Sequence, residues 1–340
     1  MGPRKGPVVL GIESTAHTAG VGIASRGEGI IVNENSVYRP VRGGIHPREA
    51  AEHHSKALPE VLARALDKAG LDIDEVDAIA VALGPGMGPC LRVGATVARA
   101  LAAKYGKPLV PVNHAVAHVE ISRYSTGFED PLVVYVAGGN TMIVTFVEGR
   151  YRVFGETLDI PLGNCFDTFA REVGLGHPGT PRVEELYRKG KRLLDLPYVV
   201  KGQDVSYSGL LTRALELYRR GEPLEDVCFS LMEVAYSMLV EVAERALVHT
   251  GKREVALTGG LARSAVLQDK LEKMCSVHGV EFAAVDAEYA GDNGAMIAYA
   301  GLLAFSAGIS VRVEESYIRP MWRIDEVEAP WRNLESASRS

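Results

Sequence analysis

The chain of 340 residues is 47% hydrophobic and 24% charged, the balance of a globular protein long enough for two domains. Its formal net charge of -6 argues against a protein that coats nucleic acid unaided, and no apolar run approaches the roughly 20 residues that span a bilayer. Cys90, Cys165, Cys228 and Cys275 are scattered without a Cys-x-x-Cys pair, which argues against a thiolate zinc site or a disulfide scaffold and fits a reducing cytoplasm.

Met1 runs within a few residues into the strand-like Val8–Ile12, so no signal peptide is expected. Positive charge is local: Arg39, Arg42, His46 and Arg48 form one cluster, and Arg188, Lys189, Lys191 and Arg192 another. With seven Asn and only Gln203 and Gln268, the chain is poor in thermolabile amides, a weak sign of a thermophilic source.

In chain order, Val8–Ile12, Gly20–Ala24 and Ile30–Asn33 read as three short strands joined by the polar turn Glu13–Thr18 and by Gly27-Glu28-Gly29, a meander. Arg48–Ala69 has helical periodicity through Ala51, His54, Leu58, Val61, Leu62 and Leu66, and Gly70 ends it. The buried strand Asp77–Leu83 leads through Gly84–Pro89 into a helix over Arg92–Tyr105. That glycine loop suits either an anion cradle at a helix N-terminus or a plain tight turn. Pro108–Val112 is a strand, and Asn113–Glu120 follows it. This stretch holds two histidines four residues apart, which a helix places on one face, within reach of a single metal ion. The same spacing suits a helix that merely carries two core or surface histidines.

The pattern then repeats. Leu132–Val136, Thr141–Val147 and Tyr151–Glu156 form a second meander. Helices follow over Phe166–Val173, Val183–Lys189, Leu210–Arg220 and Leu224–Thr250, then strand Glu254–Leu257, helix Ser264–Val277, strand Glu281–Val285 and the apolar helix Ala295–Phe305. Two meanders, each followed by helix–strand–helix units, predict a duplicated α/β protein. The halves expected are residues 1–130 and 131–318, with the final helix able to pack back on the first half and 319–340 an irregular tail. Turns at Glu13–His17, Gly138–Asn140, Gly259-Gly260 and Gly291–Gly294 are expected to line a nucleotide cleft, as in the actin-like ATPase architecture of sugar kinases and Hsp70-type chaperones.

Six motifs occur in one order: Gly11-Ile-Glu-Ser-Thr-Ala-His-Thr-Ala-Gly20, Gly43-Gly-Ile-His-Pro-Arg-Glu-Ala-Ala51, Gly84-Pro-Gly-Met-Gly88, His114 with His118, Val136-Ala-Gly-Gly-Asn-Thr141 and Gly291-Asp-Asn-Gly-Ala-Met-Ile297. Over about residues 8 to 318 the chain resembles the archaeal and eukaryotic catalytic subunit of the KEOPS complex, a tRNA N6-adenosine threonylcarbamoyltransferase family once described as an O-sialoglycoprotein endopeptidase. The resemblance implies transfer of threonylcarbamoyl from threonylcarbamoyl-AMP to the N6 amine of the adenosine beside the tRNA anticodon. It implies one iron or zinc ion held by His114, His118, Tyr135 and Asp292. Adenylate recognition, with ATP or ADP as other occupants, falls by the same match on Tyr135, Val136, Ala137, Gly138, Gly139, Asn140, Asp167, Thr180, Glu184, Gly259, Gly260 and Ser264. Glu13 and His17 are the candidate catalytic residues. Implied partners are tRNA, a small protein kinase subunit and small accessory subunits, with no membrane and a cytoplasmic location.

Thr180 stands where the family commonly has glycine, and Ser264 where it commonly has asparagine, which puts the adenine contacts in question. Each proposed ligand has an ordinary alternative: Tyr135 as a strand aromatic, Asp292 as the N-cap of the following helix. A metalloprotease would want His-Glu-x-x-His, but Ala115 follows His114. An actin-like nucleotide-binding scaffold or chaperone without chemistry of its own is the alternative from another class, and it would have no need of a converging ligand set.

Overall fold

The computed structural model describes residues 6–40 and 44–337. Its chain divides into two compact units. Unit 1 comprises residues up to Ile121, Val147–Tyr151 and everything from Asp292 onward; unit 2 comprises Ser122–Phe146 and Arg152–Gly291.

In unit 1, β1 (Val8–Glu13), β2 (Thr18–Ser25) and β3 (Gly29–Val37) form the antiparallel meander. All residues of β1 and β2 are buried, so their sequences read as apolar runs rather than as alternating patterns. Helix α1 (Pro47–Ala69) buries His54, Leu58, Val61 and Ala65 along one face and ends at Gly70, whose φ of 60° is the left-handed cap its position predicts. Then come β4 (Ala78–Gly84), α2 (Gly88–Tyr105), β5 (Leu109–Asn113) and α3 (His114–Thr126). The sheet order is β3-β2-β1-β4-β5, with β4 parallel to β1 and β5 parallel to β4 across the helical crossovers.

Unit 2 repeats this plan. Strands β6 (Leu132–Val136), β7 (Thr141–Val147) and β8 (Arg150–Glu156) precede α4 (Leu162–Glu172) and α5 (Gly179–Tyr187). The small hairpin β9 (Val200–Lys201) and β10 (Asp204–Val205) leads to α6 (Ser208–Arg219) and the long α7 (Leu224–Thr250). Strand β11 (Glu254–Thr258), α8 (Ala265–His278), β12 (Glu281–Ala284) and the short α9 (Ala287–Ala290) complete the unit. The order β12-β11-β6-β7-β8 matches the first sheet strand for strand. Two mixed five-stranded sheets of identical order are the duplicated actin-like fold that the repeated meanders predicted. Helices α4 and α5 each begin four residues earlier than periodicity placed them. Pro161 and Pro178 stand at their N-caps and start them before the first strongly apolar turn.

From Asp292 the chain belongs to unit 1. Helix α10 (Gly294–Ser306) lies on β1 and β2 so closely that a β-carbon at Gly11 would sit 2.1 Å from the Ala298 amide nitrogen, and one at Gly22 would sit 2.4 Å from that of Ala295. Glycines in the strands are what let this apolar helix seat directly on the backbone. The tail is not irregular, as the sequence had suggested. Short 3-10 turns at Val313–Glu315 and Ile324–Glu326 lead to α11 (Pro330–Ala337), and Ile324, Ala329 and Trp331 are buried. The apolar residues that anchor this segment, among them Ile318, Trp322, Ile324, Ala329 and Trp331, are irregularly spaced, and hydrogen bonds to distant residues add to them, so no periodicity reveals it.

Candidate active site

Asn113 ends β5 and starts α3. Its side-chain oxygen accepts the amides of Ala115 (2.9 Å) and Val116 (3.1 Å), an N-cap that puts His114 in the first turn and His118 one turn later. The two rings meet edge to face, with centroids 4.8 Å apart. Asp292 Oδ1 lies 3.5 Å from His114 Nε2 and 3.2 Å from His118 Nε2. Asp292 does not cap α10; Asn293 does, accepting the Met296 amide at 2.9 Å, which leaves the Asp292 carboxylate to the histidines. Behind His114, Nδ1 lies 3.0 Å from Glu13 Oε2 and 3.2 Å from Thr15 Oγ1. Thr15 donates its amide (2.5 Å) and its hydroxyl (2.6 Å) to Glu13 Oε1. His17, at the end of the same turn, places Nδ1 3.7 Å from Asp292 Oδ2.

These residues fit a metal ion. The ligand atoms of His114, His118 and Asp292 all lie within 4.8 Å of one another, and both histidines are buried. Bonds of about 2.0–2.1 Å in a tetrahedron imply ligand–ligand edges of about 3.3 Å, which the two Nε2–Oδ1 separations bracket. A carboxylate behind the first histidine is the usual support that fixes a ligating imidazole's tautomer. It accepts Nδ1–H and leaves Nε2 to face Asp292. Without a metal, burial disfavours charge on His114, but the Glu13 and Asp292 carboxylates outweigh it and raise its pKa to about 10. Burial pushes His118 below its ordinary value despite Asp292, and charge on His114 adds to the depression. Burial also opposes the Asp292 carboxylate, yet His114 outweighs it and holds Asp292 well below the carboxylate range. The pocket thus gathers one positive charge against its buried carboxylates, a place a cation can take.

Tyr135 belongs to unit 2, where it is buried on β6 and its hydroxyl accepts from Asn140 Nδ2 at 3.3 Å. The turn after it is tight: the Ala137 amide donates to the Asn140 carbonyl at 2.8 Å. Strand β11 pairs in parallel with β6, Thr258 opposite Tyr135, so Gly259 and Gly260 emerge beside Val136–Asn140 at the carboxyl ends of neighbouring strands. This is the edge at which α/β sheets bind ligands. Tyr236 on α7 donates to Ser264 Oγ at 3.0 Å, and the same oxygen caps α8. Both acceptor positions of the Ser264 hydroxyl are therefore used within the protein. Asp167 accepts the Gly179 amide at 2.6 Å at the start of α5, while Glu184 pairs with Arg188 at 3.1 Å and Thr180 lies in the first turn of α5.

The structure settles the setting of two further sequence features. Of the two readings open for the Gly84–Gly88 loop, the structure favours the tight turn, braced from outside: the Gly86 amide donates to the Pro320 carbonyl and the Met87 amide to that of Thr15. The basic cluster near residue 190 is largely neutralised, with Arg188, Lys189 and Arg192 paired to Glu184, Glu185, and Glu222 with Asp226. Arg39 and Arg48 are exposed, whereas Arg42 lies outside the described residues. Sequence reasoning missed Thr15, the Asn113 cap and Tyr236. The Ser-Thr after Glu13 and the Asn before His114 were the signals available.

Comparison with known proteins identifies the family. The family described as TsaD, tRNA N6-adenosine threonylcarbamoyltransferase, matches residues 29–299. A tRNA N6-adenosine threonylcarbamoyltransferase from Thermofilum pendens is 70% identical over 96% of this chain and 97% of its own length. Among solved structures, HypF from T. kodakarensis superposes with a TM-score of 0.63 at 16% identity, over 91% of this chain and 48% of that one. An activator of 2-hydroxyisocaproyl-CoA dehydratase from Clostridium difficile superposes with a TM-score of 0.54 at 12% identity, over 91% and 96%. These two likenesses speak to the fold alone, but identity across almost the full length speaks to the chemistry, and the chain belongs to the tRNA N6-adenosine threonylcarbamoyltransferase family.

Proposed function

We propose that this transferase works with one iron or zinc ion held by His114 Nε2, His118 Nε2 and Asp292, and with threonylcarbamoyl-AMP as donor. The observation that carries the reading is the spacing of 3.5 and 3.2 Å from the two imidazoles to a single carboxylate oxygen, with Glu13 behind His114. Iron and zinc both suit such nitrogen and oxygen donors. Bound, the ion supplies Lewis acidity toward a carbonyl or phosphate oxygen.

The chain's own residues do the rest. Glu13 accepts His114 Nδ1–H and keeps Nε2 as the ligating nitrogen, and Thr15 holds Glu13 by two hydrogen bonds. In unit 2 the amides of Gly138 and Gly139 are the donors for the adenylate phosphate, with Asp167 and Glu184 as acceptors for ribose hydroxyls. Orientation matters as much as proton removal here, because the attacking N6 amine is a weakly basic aromatic amine. Family membership makes tRNA the acceptor. A protein kinase subunit and small accessory subunits are the further partners we infer, in the cytoplasm; among the described residues no helix is long and apolar enough to cross a membrane.

Metal analysis tests the centre. Wild-type protein is expected to carry close to one transition-metal ion per chain, and His114→Ala with His118→Ala to lose it along with threonylcarbamoyl transfer while the fold persists. Normal metal content in the double variant sinks the assignment.

A further inference from the structure

The segment after α10 makes four sets of contacts that lead to the candidate metal centre, all within unit 1. Asn113, whose oxygen caps α3, also donates through Nδ2 to the carbonyls of Trp322 (3.1 Å) and Arg323 (3.4 Å). Further along α3, the fully buried Glu120 accepts on one oxygen from Trp331 Nε1 (2.7 Å) and from the Tyr151 hydroxyl (2.6 Å). On the other side of the centre, the Arg319 amide donates to the Leu83 carbonyl and the Gly86 amide to that of Pro320. The next amide of that loop, Met87, donates to Thr15, the residue that holds Glu13 against His114. Between Trp322 and Trp331 the segment spans a cavity of about 180 Å³ lined by Val112, Val116, Ala304 and Val327. Ile324 and Ala329 are buried on either side of this cavity, and hydrogen bonds at Trp322, Arg323 and Trp331 tie the segment to α3.

We propose that residues 316–333 form a strap that sets the positions of His114 and His118, with Asn113, Glu120 and Trp331 as positioning residues. The strap grips α3 at the residue before His114 and again two residues past His118, so both imidazoles lie between its anchors. It braces the Glu13–Thr15 turn through the Gly84–Gly88 loop as well. Both ligating rings and the carboxylate behind one of them thus take their places from the same segment. The inference rests on the metal reading above. Groups that hydrogen-bond metal ligands directly are worth about 10–100-fold in metal affinity, and the strap, one step further out, is expected at the lower end of that range.

Two substitutions separate the tethers from the rest of the fold. Asn113→Asp keeps the oxygen that caps α3 and removes the donor to the strap. Trp331→Phe keeps an aromatic ring and removes the indole N–H. Each is expected to weaken Co(II) binding to the metal-free protein about tenfold or more, followed by visible absorption, and to alter the ligand-field spectrum. Glu120→Gln, which keeps an acceptor for Trp331, should stay close to wild type. Val61→Ala opens the core under α1 and serves as a control: its melting temperature should fall at least as far while its Co(II) affinity holds. Wild-type affinity in both Asn113→Asp and Trp331→Phe overturns the strap, as does an equal loss in Val61→Ala. A wild-type protein that binds no Co(II), with His114→Ala indistinguishable from it, overturns the metal reading itself and the strap with it.

Discussion

Asn293 caps α10, and the consequence is that Asp292, one residue earlier, is spared for His114 and His118. Neighbouring residues of similar chemistry divide the work in the same way among the glycines of unit 2. A β-carbon at Gly138 would meet nothing within 4 Å, whereas one at Gly259 would lie 2.3 Å from the Val136 carbonyl, in a residue whose φ is 91°. Gly138→Ala is therefore expected to leave thermal stability near wild type and to weaken AMP or ATP binding by crowding the phosphate, as calorimetry would show. Gly259→Ala should instead cost the fold about 2 kcal/mol or more in urea unfolding, from strain at positive φ added to the close contact. Unchanged nucleotide affinity in Gly138→Ala would argue against the phosphate role, and a fully stable Gly259→Ala against the structural one.

Helices and loops explain which parts of the molecule resist pH. Asp159, in the loop before α4, accepts from the amides of Ile160, Tyr207 and Ser208 and from the hydroxyls of Ser206 (2.5 Å) and Ser208 (2.5 Å), and so fastens that loop to the start of α6. Partial burial opposes its charge, but the hydrogen bonds from Ser206, Ser208, Tyr207 and Ile160 outweigh it and hold its carboxyl below the ordinary range. A carboxylate depressed in the folded state stabilises fully above its unfolded value, here 3.8, and loses that contribution as pH falls toward the folded value. Asp159→Ala is thus expected to cost about 1 kcal/mol at pH 7, a figure reduced for solvent screening, and progressively less below pH 3.8. Parallel unfolding curves for wild type and variant at pH 7 and pH 3 measure this. A gap that does not narrow in acid would contradict the role.

At the scale of the whole molecule, charge and substrate pull in opposite directions. The family acts on tRNA, yet the formal net charge is -6 and the cluster near residue 190 is mostly paired. We expect Arg39 and Arg48 to contact phosphates while accessory subunits supply much of the affinity. The acceptor adenosine sits in a single-stranded loop, so presenting its amine costs less than flipping a base from a duplex. The isolated chain should bind tRNA weakly, with a steep loss in salt from counterion release. Neutralising Arg39 and Arg48 together should lower the slope of log K against log salt by about 1–2. Tight, salt-insensitive binding by the chain alone would overturn this division.

The sequence by itself determined the duplicated fold, because apolar runs, helical periodicity and glycine turns mark most of the elements locally and the two meanders repeat in order. It also pointed to His114 and His118, since their spacing is a local property of one helix. It placed Asp292 only through resemblance, for nothing near Asp292 in the chain distinguishes a ligand from a cap. Tertiary structure gave the cap to Asn293 and set Asp292 against both histidines, and it decided that Glu13 stands behind His114, a partnership 101 residues apart in the chain. It also chose between the two readings open for the Gly84–Gly88 loop, a braced turn over an anion cradle, because the amides of Gly86 and Met87 are taken by carbonyls far away in sequence. The ordered tail escaped sequence reasoning for the same physical reason. Its stability comes from hydrogen bonds to Asn113, Leu83 and Glu120, and partners so distant along the chain leave no periodic trace in it.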